Sequence, residues 1–250
     1  MTFPFAIAIA HAAYRADRRA SLATLLLDLT CAGLEAKIFA SAQREKSMTW
    51  APPIWAWASQ QGCPVAILND DVRLVPRFGD VLAAMLAAVP GEILSLHAQG
   101  PEVSKMADRG HRWVRMCSYT GPGVVLPVGI PAALLKAMGG HGAISSQQND
   151  DVFASTWMQK YGKPAYLPLP AIVHHRVDVP STFPTHDAAP HRQSSVDWKQ
   201  FRFSRLDLAS AKTWTLKDGK LPPWIGNPGK ASLSAPAGLK PQGGPYRRRF

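Results

Sequence analysis

The chain has 250 residues, 46% of them apolar, and carries 28 Lys and Arg against 17 Asp and Glu, a formal net charge of +11. That length admits one large α/β domain, or a domain of roughly 200 residues with an appendage, and the apolar share is enough for a real core. Its three cysteines, Cys31, Cys63 and Cys117, exclude a disulfide framework and metal knuckles by number and spacing, which points to a reducing cytoplasm.

Phe5 to Ala10 is a continuous apolar run of strand length, followed by the polar loop His11 to Arg15. The apolar start as a whole, Phe3 to Ala13, is too short to span a bilayer and its arginines follow it, so it is expected to be neither signal peptide nor anchor. Nothing else approaches an uninterrupted span, and a soluble protein is expected. Arg18 to Leu29 has helical spacing of Leu22, Leu25, Leu26 and Leu29, closed by Gly33. Lys37 to Ala40 reads as a second strand, and Pro52-Pro53 open a helix ended by Gly62. Val65 to Leu68 is a short apolar strand with Asn69-Asp70-Asp71 at its exit. A helix over Phe78–Ala88 and a strand over Glu92–Leu96 complete a β-α-β-α-β-α-β order, which predicts a mostly parallel sheet flanked by helices.

The second half changes character. Arg112 to Tyr119 reads as a strand, Gly121-Pro-Gly123 as a turn, and Pro131 to Met138 as a short helix stopped by Gly139-Gly140. The polar loop His141 to Asn149 leads into Asp150-Asp151 and a helix ending at Gly162. Ala165–Pro170 is extended, and Ile172–His175 follows. From Asp178 onward Pro, Gly and Ser dominate, with isolated Trp and Phe, which predicts partial order and little independent core. Residues 200–250 hold ten Lys/Arg and two Asp, so most of the net charge sits there. That split suggests a folded domain over 1–185 and a basic extension over 186–250, with an anionic partner or plain solvation for the extension.

In an open α/β sheet, ligands bind beyond the carboxyl ends of the strands. Asn69, Asp70 and Asp71 arrive at that edge, where adjacent carboxylates repel unless a cation or hydrogen-bond donors compensate. Mg²⁺ or Mn²⁺ held by one or two carboxylates plus substrate phosphates is the usual arrangement for nucleotide diphosphates. A turn with helix-capping acids is the bland alternative. Asp150 and Asp151 open a helix, where carboxylates act as caps or, functionally, as a general base toward an acceptor hydroxyl. His175 follows a strand-like segment and is a candidate metal ligand, with His174 beside it as competitor.

These patches resemble the GT-A-fold glycosyltransferases of the lipopolysaccharide and procollagen glycosyltransferase family. The segment Cys63-Pro-Val-Ala-Ile-Leu-Asn-Asp-Asp-Val-Arg-Leu-Val-Pro-Arg-Phe78 is similar to the family's strand and metal motif. Pro170-Ala-Ile-Val-His-His-Arg-Val-Asp-Val-Pro-Ser-Thr182 is similar to its later histidine segment, and Asn149-Asp-Asp-Val-Phe153 to its acceptor-side acidic step. The resemblance implies a nucleotide-sugar half over 1–100 and an acceptor half over 101–185. It implies Asp71 and His175 as metal ligands, Asp70 at the ribose or a water, and Asp151, with Asp150 beside it, as base. His11, Tyr14 and Arg15 would face the nucleobase and ribose. The family pattern has an acidic residue where this chain has Asn69, which shifts coordination onto Asp71. A uridine diphosphate sugar is the implied donor.

The basic extension is the one clue to the acceptor. Its Lys and Arg, interleaved with Phe201, Phe203, Trp214, Trp224 and Tyr246, suit a phosphate backbone with aromatics for stacking. A hydroxylated base in DNA is the first expectation and an anionic envelope glycan the second. A metal-dependent nuclease and a non-catalytic nucleic-acid-binding protein are the rival classes.

Overall fold

The computed structural model describes residues 3–44, 47–119, 121–140, 149–180, 196, 199, 205–216 and 220–225. Strand and helix alternate through the first half: β1 (Ala6–Ala12), α1 (Ala16–Cys31), β2 (Lys37–Ser41), α2 (Ser47–Ala58), β3 (Val65–Asn69), β4 (Val72–Leu74), α3 (Phe78–Ala88) and β5 (Ile93–Ser95). Then come α4 (Pro101–Asp108), β6 (Trp113–Met116), β7 (Gly123–Leu126), α5 (Ile130–Gly140), α6 (Asp150–Tyr161), β8 (Ala165–Pro168) and β9 (Val173–His175). Two one-turn helices, α7 (Arg205–Leu208) and α8 (Ala211–Trp214), follow. Among the described residues, no helix is long and apolar enough to cross a membrane.

The centre is a seven-stranded sheet in the order β2-β1-β3-β7-β5-β8-β6. β1 runs parallel to β2 and β3, and β5 parallel to β8; β7 is antiparallel to β3 and β5, and β6 antiparallel to β8. The α/β sheet flanked by helices is therefore as expected, with β7 and β6 reversed within it. Helices cover both faces, so β3 buries every residue from Val65 to Leu68, the run that made it legible as a strand. Alternate residues feed two cores. Val65 and Ile67 join Trp55, Phe153 and Trp157, while Ala66 and Leu68 join Ile9, Leu25, Phe78 and Leu82. A two-stranded ribbon of β4 and β9 lies beside the main sheet.

Several elements differ from expectation. α2 begins at Ser47, so Pro52 and Pro53 lie inside it rather than at its start. β4, three residues long, is too short for any periodicity to announce, while β9 falls within the strand-like Ile172–His175. α4 is an addition, starting on Pro101, with only Val103 fully buried.

The C-terminal pieces carry more core than the composition implied. Trp214 is fully buried and packs edge-on against Trp113 at 5.4 Å between ring centroids. The Trp113 indole N–H donates to the Trp214 carbonyl at 2.6 Å, and the Trp214 indole N–H to the Leu208 carbonyl at 2.8 Å. Further on, Pro223 and Ile225 exchange backbone hydrogen bonds with Arg115, at 2.8 and 2.9 Å, along the edge strand β6. That docking covers an edge that would otherwise expose unpaired backbone groups. The packed body thus reaches past residue 185, to at least Ile225. The sequence patches at His141–Gln148, Ser181–Thr182 and Arg247–Arg249 lie outside the described residues.

Candidate functional site

The site grows from the exit of β3. Asn69 closes that strand, and its backbone N–H donates to the Pro122 carbonyl at 3.1 Å; the next, Asp70 N–H, donates to Ala10 of β1. The chain then turns straight into β4. β4 pairs with β9 in a register that sets Val72 opposite His175 and Arg73 opposite His174. Arg176 N–H closes the ribbon onto the Asp71 carbonyl at 2.7 Å. This short pairing is what brings His175 beside Asp71. Close approach here depends on Gly123, where a Cβ would stand 3.2 Å from Val173 Cγ1 and 3.4 Å from both Leu68 Cδ2 and Leu96 Cβ.

Asp70 and Asp71 are 0% and 2% exposed, an expensive place for two neighbouring carboxylates. Compensation comes from Arg18, in the first turn of α1 and itself 5% exposed. Its Nε donates to Asp70 Oδ1 at 2.6 Å, its Nη2 makes a short contact with the same oxygen, and its Nη1 donates to Asp71 Oδ2 at 2.6 Å. The other Asp70 oxygen receives His11 Nδ1–H at 2.6 Å and the Ala12 N–H at 2.9 Å. Asp70 is thus enclosed with both oxygens engaged, and offers no exposed atom to a ribose or a water. Charge-assisted, multiply donated bonds of this kind are the strong ones. Sequence reasoning read Arg18 only as the start of a helix.

His175 is placed differently. Its Nδ1 is buried and, among the described residues, makes no hydrogen bond, although Asp71 Oδ2 lies 3.5 Å away. Two atoms each about 2.1 Å from one metal ion, on neighbouring corners of its shell, stand roughly 3 to 3.5 Å apart. Asp71 and His175 therefore fit as a pair of ligands to one divalent cation, with remaining positions for phosphate and water oxygens. Asp70 and Asn69 do not extend that pair. Among the described residues, no group of three or more His, Cys, Asp or Glu side chains assembles a metal cage. His174 is settled by its own contact, since its Nε2–H donates to the Ala171 carbonyl at 3.1 Å.

A second histidine supports the pair and was not singled out from the sequence. His97, just after β5, is 0% exposed and lies edge-on to His175, with ring centroids 5.6 Å apart. Its Nδ1 is 3.1 Å from the Val173 carbonyl, and a carbonyl only accepts, so the proton sits on Nδ1. The contact ties His97 to β9 itself and fixes the ring against which His175 packs.

The remaining first-loop residues are half-buried on the turn between β1 and α1. Tyr14 lies there, and Arg15 forms a two-pronged pair with Asp17, Nη2 to Oδ2 at 2.5 Å and Nε to Oδ1 at 3.0 Å. That pairing is the main reason the Asp17 carboxyl lies below its usual range.

The second acidic cluster opens α6, and Asp150 shares a narrow cleft with Asn69 but not with Asp70, Asp71 or His175. Asn69, Trp50, Ile54, Trp55, Tyr119 and Asp150 line it. Asp150 faces that cleft; Asp151 Oδ1 instead accepts the Val152 N–H at 2.8 Å, at the start of its own helix. Both carboxylates are close enough to act on Tyr119, whose hydroxyl is held well above its ordinary pKa by burial first and by Asp150 and Asp151 next.

The aromatic complement of the basic extension is reduced. Trp214 is in the core, and Trp224 is taken up by Arg115, whose guanidinium carbon is 4.9 Å from its ring centroid. Phe201, Phe203 and Tyr246 lie outside the described residues. No protein-family model matches the chain, and no curated protein matches it either.

Proposed function

We propose that this protein is a metal-dependent glycosyltransferase of GT-A type, moving a sugar from a nucleotide diphosphate donor, a uridine diphosphate sugar by family resemblance, to an acceptor hydroxyl. The observation that carries the reading is the meeting of Asp71 with the unbonded Nδ1 of His175 at the carboxyl end of β3. Asp150 lines a narrow cleft together with Asn69, two residues before Asp71 in the chain.

In this reading Asp71 and His175 would hold Mn²⁺ or Mg²⁺, with the donor's diphosphate supplying further oxygens. When bound, such an ion neutralises charge that builds on the departing diphosphate. Asp70, fixed by Arg18 and His11, holds the β1–α1 loop with Tyr14 and Arg15 against the nucleoside side. On the acceptor side, Asp150 takes the hydroxyl proton as that oxygen bonds to the anomeric carbon. The carbon–oxygen bond to the diphosphate breaks as the new one forms, and its electron pair leaves on the nucleoside diphosphate. Attack from the opposite face inverts the anomeric centre. Asp151, tied to its helix, sets the start of α6 rather than touching the acceptor.

Net charge supports a polyanionic acceptor, a hydroxylated base in DNA first and an anionic glycan second. Burial of Trp214 removes part of the stacking argument and leaves the charge. The test is a panel of nucleotide sugars incubated with the protein and Mn²⁺ or Mg²⁺, reading nucleoside diphosphate release. Release that needs the metal and is lost in Asp71→Ala supports the reading. Metal-dependent DNA cleavage without any sugar nucleotide would favour the nuclease, and nucleic-acid binding untouched by Asp71→Ala the non-catalytic binder.

A further inference from the structure

The two carboxylates that leave β3 are not equivalent, and Arg18 makes them so. Its guanidinium covers one oxygen of Asp70 through Nε and Nη2 and reaches one oxygen of Asp71 through Nη1. His11 and the Ala12 N–H take the remaining Asp70 oxygen. A guanidinium is rigid and planar and carries a fixed positive charge, so it meets two acids at once where a lysine would meet one. The result is a pair of buried acids with one of their two charges cancelled from within the fold.

We propose that Arg18 is a positioning residue that limits metal binding, so that the site takes up a divalent cation only together with a nucleoside diphosphate. This inference rests on the metal-dependent transferase reading above. Alone, the protein offers a cation one carboxylate, already shared with Arg18, and one imidazole. Mg²⁺ and Mn²⁺ prefer a shell rich in oxygen, and such sites are usually completed by substrate phosphates. A diphosphate brings both the missing oxygens and the missing negative charge. Arg18 Nη1, only 2.6 Å from Asp71 Oδ2, is a group that a cation competes with. Asp70, with both oxygens engaged, cannot replace what Arg18 withholds. Electrostatic logic sets the direction: removing the guanidinium returns a full negative charge to the site and raises its attraction for a bare cation.

The experiment is a Mn²⁺ titration followed by electron paramagnetic resonance, with and without UDP as the probe nucleotide, on wild type, Arg18→Gln and Arg18→Lys. Wild type is expected to bind Mn²⁺ at least about tenfold more tightly with UDP than without. Arg18→Gln is expected to gain at least about tenfold in nucleotide-free Mn²⁺ affinity, and Arg18→Lys, which keeps the charge, to gain little. A merely structural arginine would give no gain in affinity on removal. Tight Mn²⁺ binding by nucleotide-free wild type overturns the proposal even if Arg18→Gln fails to fold. So does a folded Arg18→Gln with unchanged nucleotide-free affinity, and that result leaves the transferase reading standing if UDP still draws Mn²⁺ to wild type. No Mn²⁺ binding by wild type with or without UDP, and none by Arg18→Gln, overturns both.

Discussion

The two acidic pairs of this chain look alike in sequence and are opposites in the structure. Asp70 and Asp71 are 0% and 2% exposed and are compensated by Arg18, whereas Asp150 and Asp151 are half-buried at the start of a helix. Burial forces the first pair to carry its countercharge within the fold, because unpaired charges there cost several kcal/mol. The second pair lies nearer water and gains from the N-terminal end of α6. Asp70 is therefore part of the architecture, whereas the less buried second pair can be changed at smaller cost in stability.

The largest effect should come from breaking the first pair. Arg18→Ala leaves two buried carboxylates without their guanidinium, and should cost about 3–5 kcal/mol of folding stability, read by urea denaturation. A loss under about 1 kcal/mol would mean that the pair is hydrated, and the contrast would collapse. Next comes Asp150→Asn, expected to lower turnover by roughly 10² to 10⁴ with stability changed by no more than about 0.5 kcal/mol. Turnover and denaturation curves on the same sample separate these effects.

Asp151→Asn should be milder. Its carboxylate sits at the start of α6 and accepts the Val152 N–H, so about 0.5–1 kcal/mol of stability is at stake and most of the turnover remains. A turnover loss larger than that of Asp150→Asn would reassign the base to Asp151. The smallest effect is a titration. Tyr119 is held well above its ordinary pKa by burial and both acids. In the unfolded chain it ionises near pH 10, while in the folded protein it stays neutral there, so its contribution to stability is complete below pH 10 and is lost as pH rises beyond. Asp150→Asn removes one of the two negative charges and should bring the Tyr119 transition, followed by tyrosinate absorbance, closer to 10.

Much of this was legible from residues, and the reasons for the rest are specific. Val65–Leu68 announced itself because a strand covered on both faces must be apolar throughout. The acids after it stood out because polar residues directly following such a strand mark the sheet edge. Arg18 was hidden, since an arginine in the first turn of an amphipathic helix reads as solvent-facing, and its partners lie 52 and 53 residues away. His97 was a lone histidine after a strand with no spacing to flag it. β4 has too few residues for a pattern, yet its pairing with β9 alone aligns His175 with Asp71. Trp214 lay in a stretch of Pro, Gly and Ser whose composition described its neighbours and not its own burial. Asp150 and Asp151 sit on the same first turn, and what tells them apart is the cleft, which Asp150 lines.

The central claim, a cation site shared by Asp71 and His175 beneath a nucleotide diphosphate, is tested most directly by the electron spin-echo envelope modulation of Mn²⁺ bound with UDP. The account predicts a nitrogen coupling from one imidazole, lost in His175→Gln and retained in His174→Gln. Mn²⁺ bound with no nitrogen coupling, or a coupling unchanged in His175→Gln, would contradict it.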